Sequence, residues 1–415
     1  MCFPSISIER MIIYMSNKKI SNLHDIKEHN ISLVLRQLRI GENCSRVSIA
    51  HETGINQATI TNIVSMLLKK GIVIEKESMA SSALGRKPVR LMLNSGKYNT
   101  CAVRIKRDNL FVAVYDVLGH ELYKSSAKIT AYDGVSSALE QLTAIIQNVF
   151  NTMSNKPCAI GIALPGPFRR DNSQIMLMSG FSGWENINLA QELNSRFNVP
   201  VFLEHDANCA ALGELMFGKF KDCINVLYIL CDRGVGAGLI LDGKIYHGLQ
   251  GMAGEMGHVS INKYGPLCEC GNRGCLELYC SMVALENEYK ALRSEADGST
   301  PDEFFLPADE ILRRVRSNTD PLADKCYSRI VKNLALGTAS IINLLNPELV
   351  IFADQIIDGG ENKFLPIVKS TLKSILLKDV YSSIKVDVTS LIDDPVLIGA
   401  GVMAFDKIFS SPLDL

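Results

Sequence analysis

The sequence predicts an α/β protein of two lobes around a cleft, preceded by a small α+β winged helix-turn-helix head. Three observations predict it. From residue 97 onward β-rich runs alternate with helical ones, the pattern of layered α/β folds. Ahead of that, three helix-patterned segments and a candidate hairpin follow one another within residues 17–96. The charge divides at the same place: residues 1–96 carry 13 Lys and Arg against 7 Asp and Glu, about +6, and the remainder carries 30 against 37, about −7. A basic head on an acidic body points to nucleic acid as a partner of the head alone.

The chain of 415 residues, 47% hydrophobic and 21% charged, is long enough for two or three domains with their own cores and argues against disorder. It has no apolar run of membrane-spanning length. The N-terminal "MCFPSISIERMIIYMS" holds Glu9 and Arg10 within its apolar part and lacks a small-residue cleavage site, so it is a poor signal peptide. A cytoplasmic protein without membrane contact is expected, with Met15 as an alternative start to Met1. The 12 cysteines show no framework spacing outside residues 268–275, which favours reduced thiols over a disulfide scaffold.

The head is read as residues 17–96. "HNISLVLRQLRI" spaces Ile31, Val34, Leu35 and Leu38 for one helical face and stops at Gly41. "SRVSIAHETG" begins on Ser45, a good N-cap, and ends at Gly54. A third helix follows, with Ile60, Ile63, Val64, Leu67 and Leu68 on its apolar face. Asn56, Gln57, Thr59 and Thr61 lie at its N-terminal end away from that face, where amide and hydroxyl groups reach base edges in a major groove. Ser45 and Arg46, opening the second helix, join them as candidate DNA contacts. Two β-prone runs around "ALGRKP" form the wing, its tip offering Arg86 and Lys87 to phosphates or a narrow minor groove.

The body is read as residues 97–415. Its candidate strands are "CAVRIK", "LFVAVYDV", "CAIGIAL", "PVFLEHD", "NVLYILCD", "GAGLIL", "LVIFAD" and "IKVDV", with helical runs at 135–153, 206–216 and 324–344 between them. Ligands of such folds sit in the cleft.

"GIALPGPF" at 161–168, "LEHDANCAALGE" at 203–214, "GVGAGLILDGKIYHG" at 234–248, "GEMGH" at 254–258 and "CECGNRGCLE" at 268–277 resemble, in order and spacing, the ROK family of bacterial sugar kinases and sugar-responsive repressors. The resemblance covers nearly the whole chain, because the repressor branch carries a winged helix-turn-helix ahead of the kinase-like part. It implies the two-lobed, actin-like, ribonuclease H-like sugar-kinase ATPase fold. It also implies that sugar hydroxyls are held by Asp206 of the "DAN" motif, Glu255 and His258 of "GEMGH", and Glu277 after the last cysteine. His205 takes a position that is commonly Asn in the kinases, where that residue also touches sugar.

His258, Cys268, Cys270 and Cys275 form His-x9-Cys-x-Cys-x4-Cys, a donor set that zinc selects. Four protein ligands leave no open position, so a structural Zn2+ in a clasp spanning 258–275 is expected. Cys268 and Cys270 are too close in sequence to bond comfortably as a disulfide. Cys280 falls outside the spacing and reads as a free thiol.

A ROK kinase needs Asp206 as general base and glycine-rich turns that cradle ATP phosphates. Asp206 is present, but the turns depart from the pattern at three places. "CAVRIKRDNLFVAVYD" has no glycine where the first turn belongs and brings Arg104, Lys106, Arg107 and Asp108 there. Asp232 and Arg233 replace a Gly-Thr pair, and Ala353 and Asp354 replace a Gly-Gly. The expectation is a sensor with no ATP and no catalytic residue, Asp206 being a vestigial base. It would regulate transcription of carbohydrate uptake or catabolism genes, most simply as a repressor. Its expected partners are operator DNA, a sugar or sugar-phosphate effector and further copies of itself in a homodimer or homotetramer. An active sugar kinase with a DNA-binding head is the rival reading, and regulation by a sugar-transport phosphorelay protein is a third.

Overall fold

The computed structural model describes residues 26–41, 44–77, 89–129, 134–166, 168–169, 174–175, 183–298 and 305–410. In the head, α1 (26–40) buries Ile31, Val34, Leu35 and Leu38, the face its spacing predicts. Helix α2 (Arg46–Thr53) is capped by Ser45 and ends at Gly54, whose φ of 68° is the left-handed conformation glycine adopts without penalty. Helix α3 (Gln57–Lys69) is capped by Asn56 and buries Ile60, Ile63, Val64 and Leu67. Strands β1 (Val73–Glu77) and β2 (Val89–Leu93) pair antiparallel as the base of the wing. The tip with Arg86 and Lys87 lies outside the described residues, as do residues 17–25 of the expected head and both candidate starts.

The first lobe is built on β3 (Asn99–Ile105), β4 (Asn109–Asp116), β5 (Glu121–Lys128), α4 (Gly134–Thr152) and β6 (Ile160–Leu164). The short ribbon β7 (Phe168–Arg169) and β8 (Gln174–Ile175) follows, then α5 (Leu189–Phe197), β9 (Val201–His205) and α6 (Asp206–Phe217). The second lobe holds β10 (Val226–Cys231), β11 (Val235–Leu241), β12 (Lys244–Ile245), α7 (Glu277–Cys280), α8 (Met282–Asp297), α9 (Ala308–Ser317) and α10 (Pro321–Leu345). It closes with β13 (Leu349–Ala353), α11 (Glu361–Ile375), α12 (Lys378–Ser383), β14 (Lys385–Val388) and α13 (Pro395–Ser410).

The two lobes repeat one plan. Their sheets run β5-β4-β3-β6-β9 and β12-β11-β10-β13-β14. In each, the first three strands are antiparallel and the last two join the first in parallel. All eight strands expected from sequence are present, and the three expected helices appear as α4, α6 and α10. Helix α10 starts on a sound signal, Asp320 accepting from the Leu322 and Ala323 N–H groups with Pro321 in the first turn. Sequence reading missed β5, an edge strand of mixed polar residues, and α13, which is apolar on almost every side and shows no amphipathic period.

Helices α6 and α13 lie between the sheets and share one core with both: Ala102 and Ala113 of the first lobe, Ala210 and Ala400 of the helices, and Tyr228 and Ile351 of the second. The helices touch backbone to backbone. A Cβ on Gly399 would lie 1.8 Å from the Cys209 carbonyl oxygen, and one on Gly161 would lie 2.1 Å from that of Ala400. At its far end α13 enters the core of the head, where Phe405, Ile408 and Phe409 join Ile31, Val34, Leu35 and Leu38. Arg39 of α1 donates to Asp406 at 2.7 Å and to the Val117 carbonyl at 3.0 Å, and lies over the Phe405 ring. No helix among the described residues is long and apolar enough to cross a membrane.

Candidate functional site

The cleft between the lobes is lined by all five residues expected to touch sugar, His205, Asp206, Glu255, His258 and Glu277. Its volume is about 840 Å³, open mouth included. Three element ends deliver these side chains. His205 closes β9 and Asp206 opens α6. Glu255 precedes a short 3-10 turn over Met256–His258, and Glu277 opens α7. His205 Nε2 stands 3.3 Å from Glu255 Oε1, Glu277 Oε2 accepts from the Val235 N–H at 3.1 Å, and Asp206 Oδ1 accepts from its neighbour Ala207 N–H at 2.7 Å.

Burial dominates the electrostatics. It pushes the Asp206 carboxyl up to about 6, against the opposing pull of Arg104. It raises Glu255 as well, with His205 opposing. Behind the site, the buried Glu204 accepts from His247 Nε2 at 2.8 Å and from Asn208 Nδ2 at 3.0 Å, tying the loop after β12 to β9. Sequence reading missed Glu204 and His247, whose pairing spans 43 residues and has no local signal.

His258, Cys268, Cys270 and Cys275 converge, their ligand atoms all within 4.8 Å of one another. Cys268 Sγ is 3.7 Å from His258 Nδ1, and Cys270 Sγ is 3.6 Å from Cys275 Sγ. A tetrahedron with metal–sulfur bonds of about 2.3 Å has edges of about 3.8 Å, so these spacings fit a metal ion at the centre. Isolated bridges Ser260–Cys275 and Leu267–Arg273 fold the segment on itself. The described cysteines are all free, Cys280 among them and fully buried.

Arg104, Lys106, Asp232 and Asp354, drawn from three distant stretches of sequence, line the same cleft and pair with one another. Arg104 binds Asp354 at 2.5 Å and Asp394 at 2.9 Å, and Lys106 binds Asp232 at 2.5 Å and Asp354 at 3.2 Å. Burial alone would raise the Asp354 carboxyl, but Arg104 and Lys106 outweigh it and hold it below the ordinary range. Asp394, which sequence reading did not single out, also caps α13 by accepting from the Val396 N–H at 2.9 Å.

In the head, Asn56, Gln57 and Thr61 are exposed and Thr59 is half-buried. The Asn56 side-chain oxygen Oδ1 accepts from the Thr59 N–H at 2.8 Å, and the Thr61 hydroxyl donates to the Gln57 backbone carbonyl at 2.8 Å. Ser45 has a structural task, accepting from the Ser48 N–H at 3.1 Å in a reciprocal cap. Arg46 binds Glu75 of β1 at 2.9 Å.

A match to the ROK family spans residues 100–407. The chain belongs to the ROK family. Two transcriptional regulators match it over more than nine-tenths of its length. The xylose repressor of Caldicellulosiruptor bescii is 28% identical over 401 residues, covering 93% of this chain and 98% of its own. The DNA-binding transcriptional dual regulator NagC of Escherichia coli is 28% identical over 388 residues, covering 92% and 93%. A solved ROK transcriptional regulator, a homologue of the E. coli MLC protein, superposes with a TM-score of 0.77 at 25% identity over 94% of this chain and 98% of its own. A ROK glucokinase from Streptomyces griseus shares the fold at a TM-score of 0.66, yet covers only 74% of this chain while matching 99% of itself. Similarity over more than nine-tenths of the chain, and so reaching into the head, is with the xylose repressor, NagC and the solved ROK transcriptional regulator.

Proposed function

We propose that the protein is a DNA-binding repressor of carbohydrate uptake or catabolism genes, released when a sugar or sugar phosphate enters the cleft. The observation that carries this reading is the lining of one cleft, where Asp206, Glu255 and Glu277 stand beside the ion-paired Arg104, Lys106, Asp232 and Asp354. Asp206, Glu255 and Glu277 accept from sugar hydroxyls, with His205 and His258 beside them. Asp206 would be the base of a phosphoryl transfer, but Arg104 and Lys106 with their carboxylate partners stand where a nucleotide needs close backbone approach, and no ATP is used. Coupled ADP release over a sugar panel tests this. Turnover at ordinary kinase rates would establish the rival reading, an active ROK kinase carrying a DNA-binding head.

His258, Cys268, Cys270 and Cys275 would hold a structural zinc ion, which supplies a fixed anchor rather than chemistry, since all four positions are filled by protein. The clasp sets His258 and, two residues after Cys275, Glu277 at the sugar. The head over 17–96 reads operator DNA in the cytoplasm: Asn56, Gln57, Thr59 and Thr61 toward bases, Arg86 and Lys87 toward phosphates or the minor groove. Ser45 and Arg46, whose side chains already serve the head's own structure, suit the backbone-contacting edge of α2. A homodimer or homotetramer matches two such heads to a two-fold operator. The sensor over 97–415 signals through α6, which begins at Asp206, and α13, which α6 grips and which ends inside the head. A sugar shifts this system only as far as its affinities for the two lobe arrangements differ.

A further inference from the structure

The sugar site and the ion-paired end share one cleft, so its spare charges decide what a ligand can carry. A phosphate monoester brings nearly two negative charges at pH 7 and needs uncommitted donors. Among the described residues the cleft has four cations, Arg104, Lys106, Arg107 and Arg233. Three are engaged: Arg104 with Asp354 and Asp394, Lys106 with Asp232 and Asp354, and Arg233 with Glu286 at 3.4 Å. Arg107 flanks Gly234 together with a carboxylate, for a Cβ built on that glycine would lie 3.6 Å from Arg107 Nη2 and 3.1 Å from Glu277 Oε2. One backbone donor is committed too. The Val235 N–H of the glycine turn, a group that could cradle phosphate, donates to Glu277. Asp206 and Glu255 then add acceptors that a second anion would oppose.

We propose that the cleft is selective for uncharged sugars and rejects their phosphorylated forms, because the lattice of Arg104, Lys106, Asp232, Asp354 and Asp394 already uses the donors a phosphate would require. This rests on the sugar-sensor reading above and narrows it. The same lattice ties β3 of the first lobe to the ends of β10 and β13 in the second, so a phosphate could gain those cations only by breaking contacts between the lobes.

Isothermal titration of the full chain against matched pairs tests it: xylose and xylose 5-phosphate, glucose and glucose 6-phosphate, N-acetylglucosamine and its 6-phosphate. The expected result is binding of at least one free sugar, with its phosphorylated counterpart at least tenfold weaker. Asp354→Asn, and separately Asp232→Asn in case the first variant does not fold, should release cations and move the affinity ratio tenfold or more toward the phosphorylated partner. A phosphorylated sugar bound more tightly than its parent by the unaltered protein overturns the selectivity while leaving the sensor reading intact. An unmoved ratio in both variants, each with an unchanged circular dichroism spectrum, overturns the lattice as its cause. No binding by any of the six compounds counts against the sensor reading itself, and the selectivity falls with it.

Discussion

Asp206 is enclosed at the first turn of α6, and that burial raises its carboxyl to about 6. Only the carboxylate accepts from two hydroxyls without offering a competing donor, so sugar affinity should fall as pH falls through about 6, by up to tenfold per pH unit below it. Titration of the sugar between pH 5 and 8 checks this, and Asp206→Asn should bind weakly with a flatter profile. The clasp answers to a different measurement. If the cluster holds zinc as proposed, Cys270→Ser removes one of its four ligands and should release the metal, detected by metal analysis, together with the sugar response. A zinc-free protein with normal induction would separate the clasp from sensing. At this scale the convergence was legible: Asp206 of "DAN", Glu255 and His258 of "GEMGH" and Glu277 after the last cysteine all line the cleft, and the cysteines gather around His258.

Among the elements, α3 and α13 make the clearest contrast. Helix α3 was readable from the apolar spacing of Ile60, Ile63, Val64 and Leu67, whereas the capping role of Asn56 emerged only in the structure; the exposed Gln57 supports a direct test. Gln57→Ala should cost about 1–3 kcal/mol in operator binding, with little loss on random DNA. A mobility-shift titration on both DNAs measures the difference, and equal losses would remove Gln57 from base readout. Helix α13 escaped sequence reading because it is buried nearly all round and carries two glycines that read as breakers. The structure gives one of them a reason, since Gly399 leaves room for the Cys209 carbonyl of α6. Gly399→Ala should therefore force the two helices apart, lowering stability by about 1–3 kcal/mol in denaturant unfolding. It should also weaken the effect of sugar on DNA binding if these helices carry the signal to the head.

For the whole molecule, α13 joins the head to the body, which sequence reading treats as separate: it packs in the core shared by the two lobes and its far end enters the core of the head. Arg39 and Asp406, which lie 367 residues apart, bind the head to the last helix of the body. Asp406→Ala should leave sugar affinity nearly unchanged while altering the ratio of operator affinities with and without sugar. Paired calorimetry and fluorescence anisotropy measure those two quantities, and an unchanged ratio would show that this contact is not part of the coupling.

The sequence by itself determined the local features: the caps and apolar faces of the head, the eight principal strands, the spacing of the His/Cys cluster and the carboxylates that line the cleft. Each of these depends on neighbours within a turn, a strand or a short loop. Tertiary structure alone decided that Arg104, Lys106, Asp232 and Asp354, scattered in sequence, form one ion-pair lattice, and that Asp394 completes it. Arg104 and its partners Asp354 and Asp394 are separated by 250 and 290 residues. Opposite charges so distant in sequence become partners only when two sheets of the same plan are packed across α6 and α13, which brings the ends of their strands into one cleft.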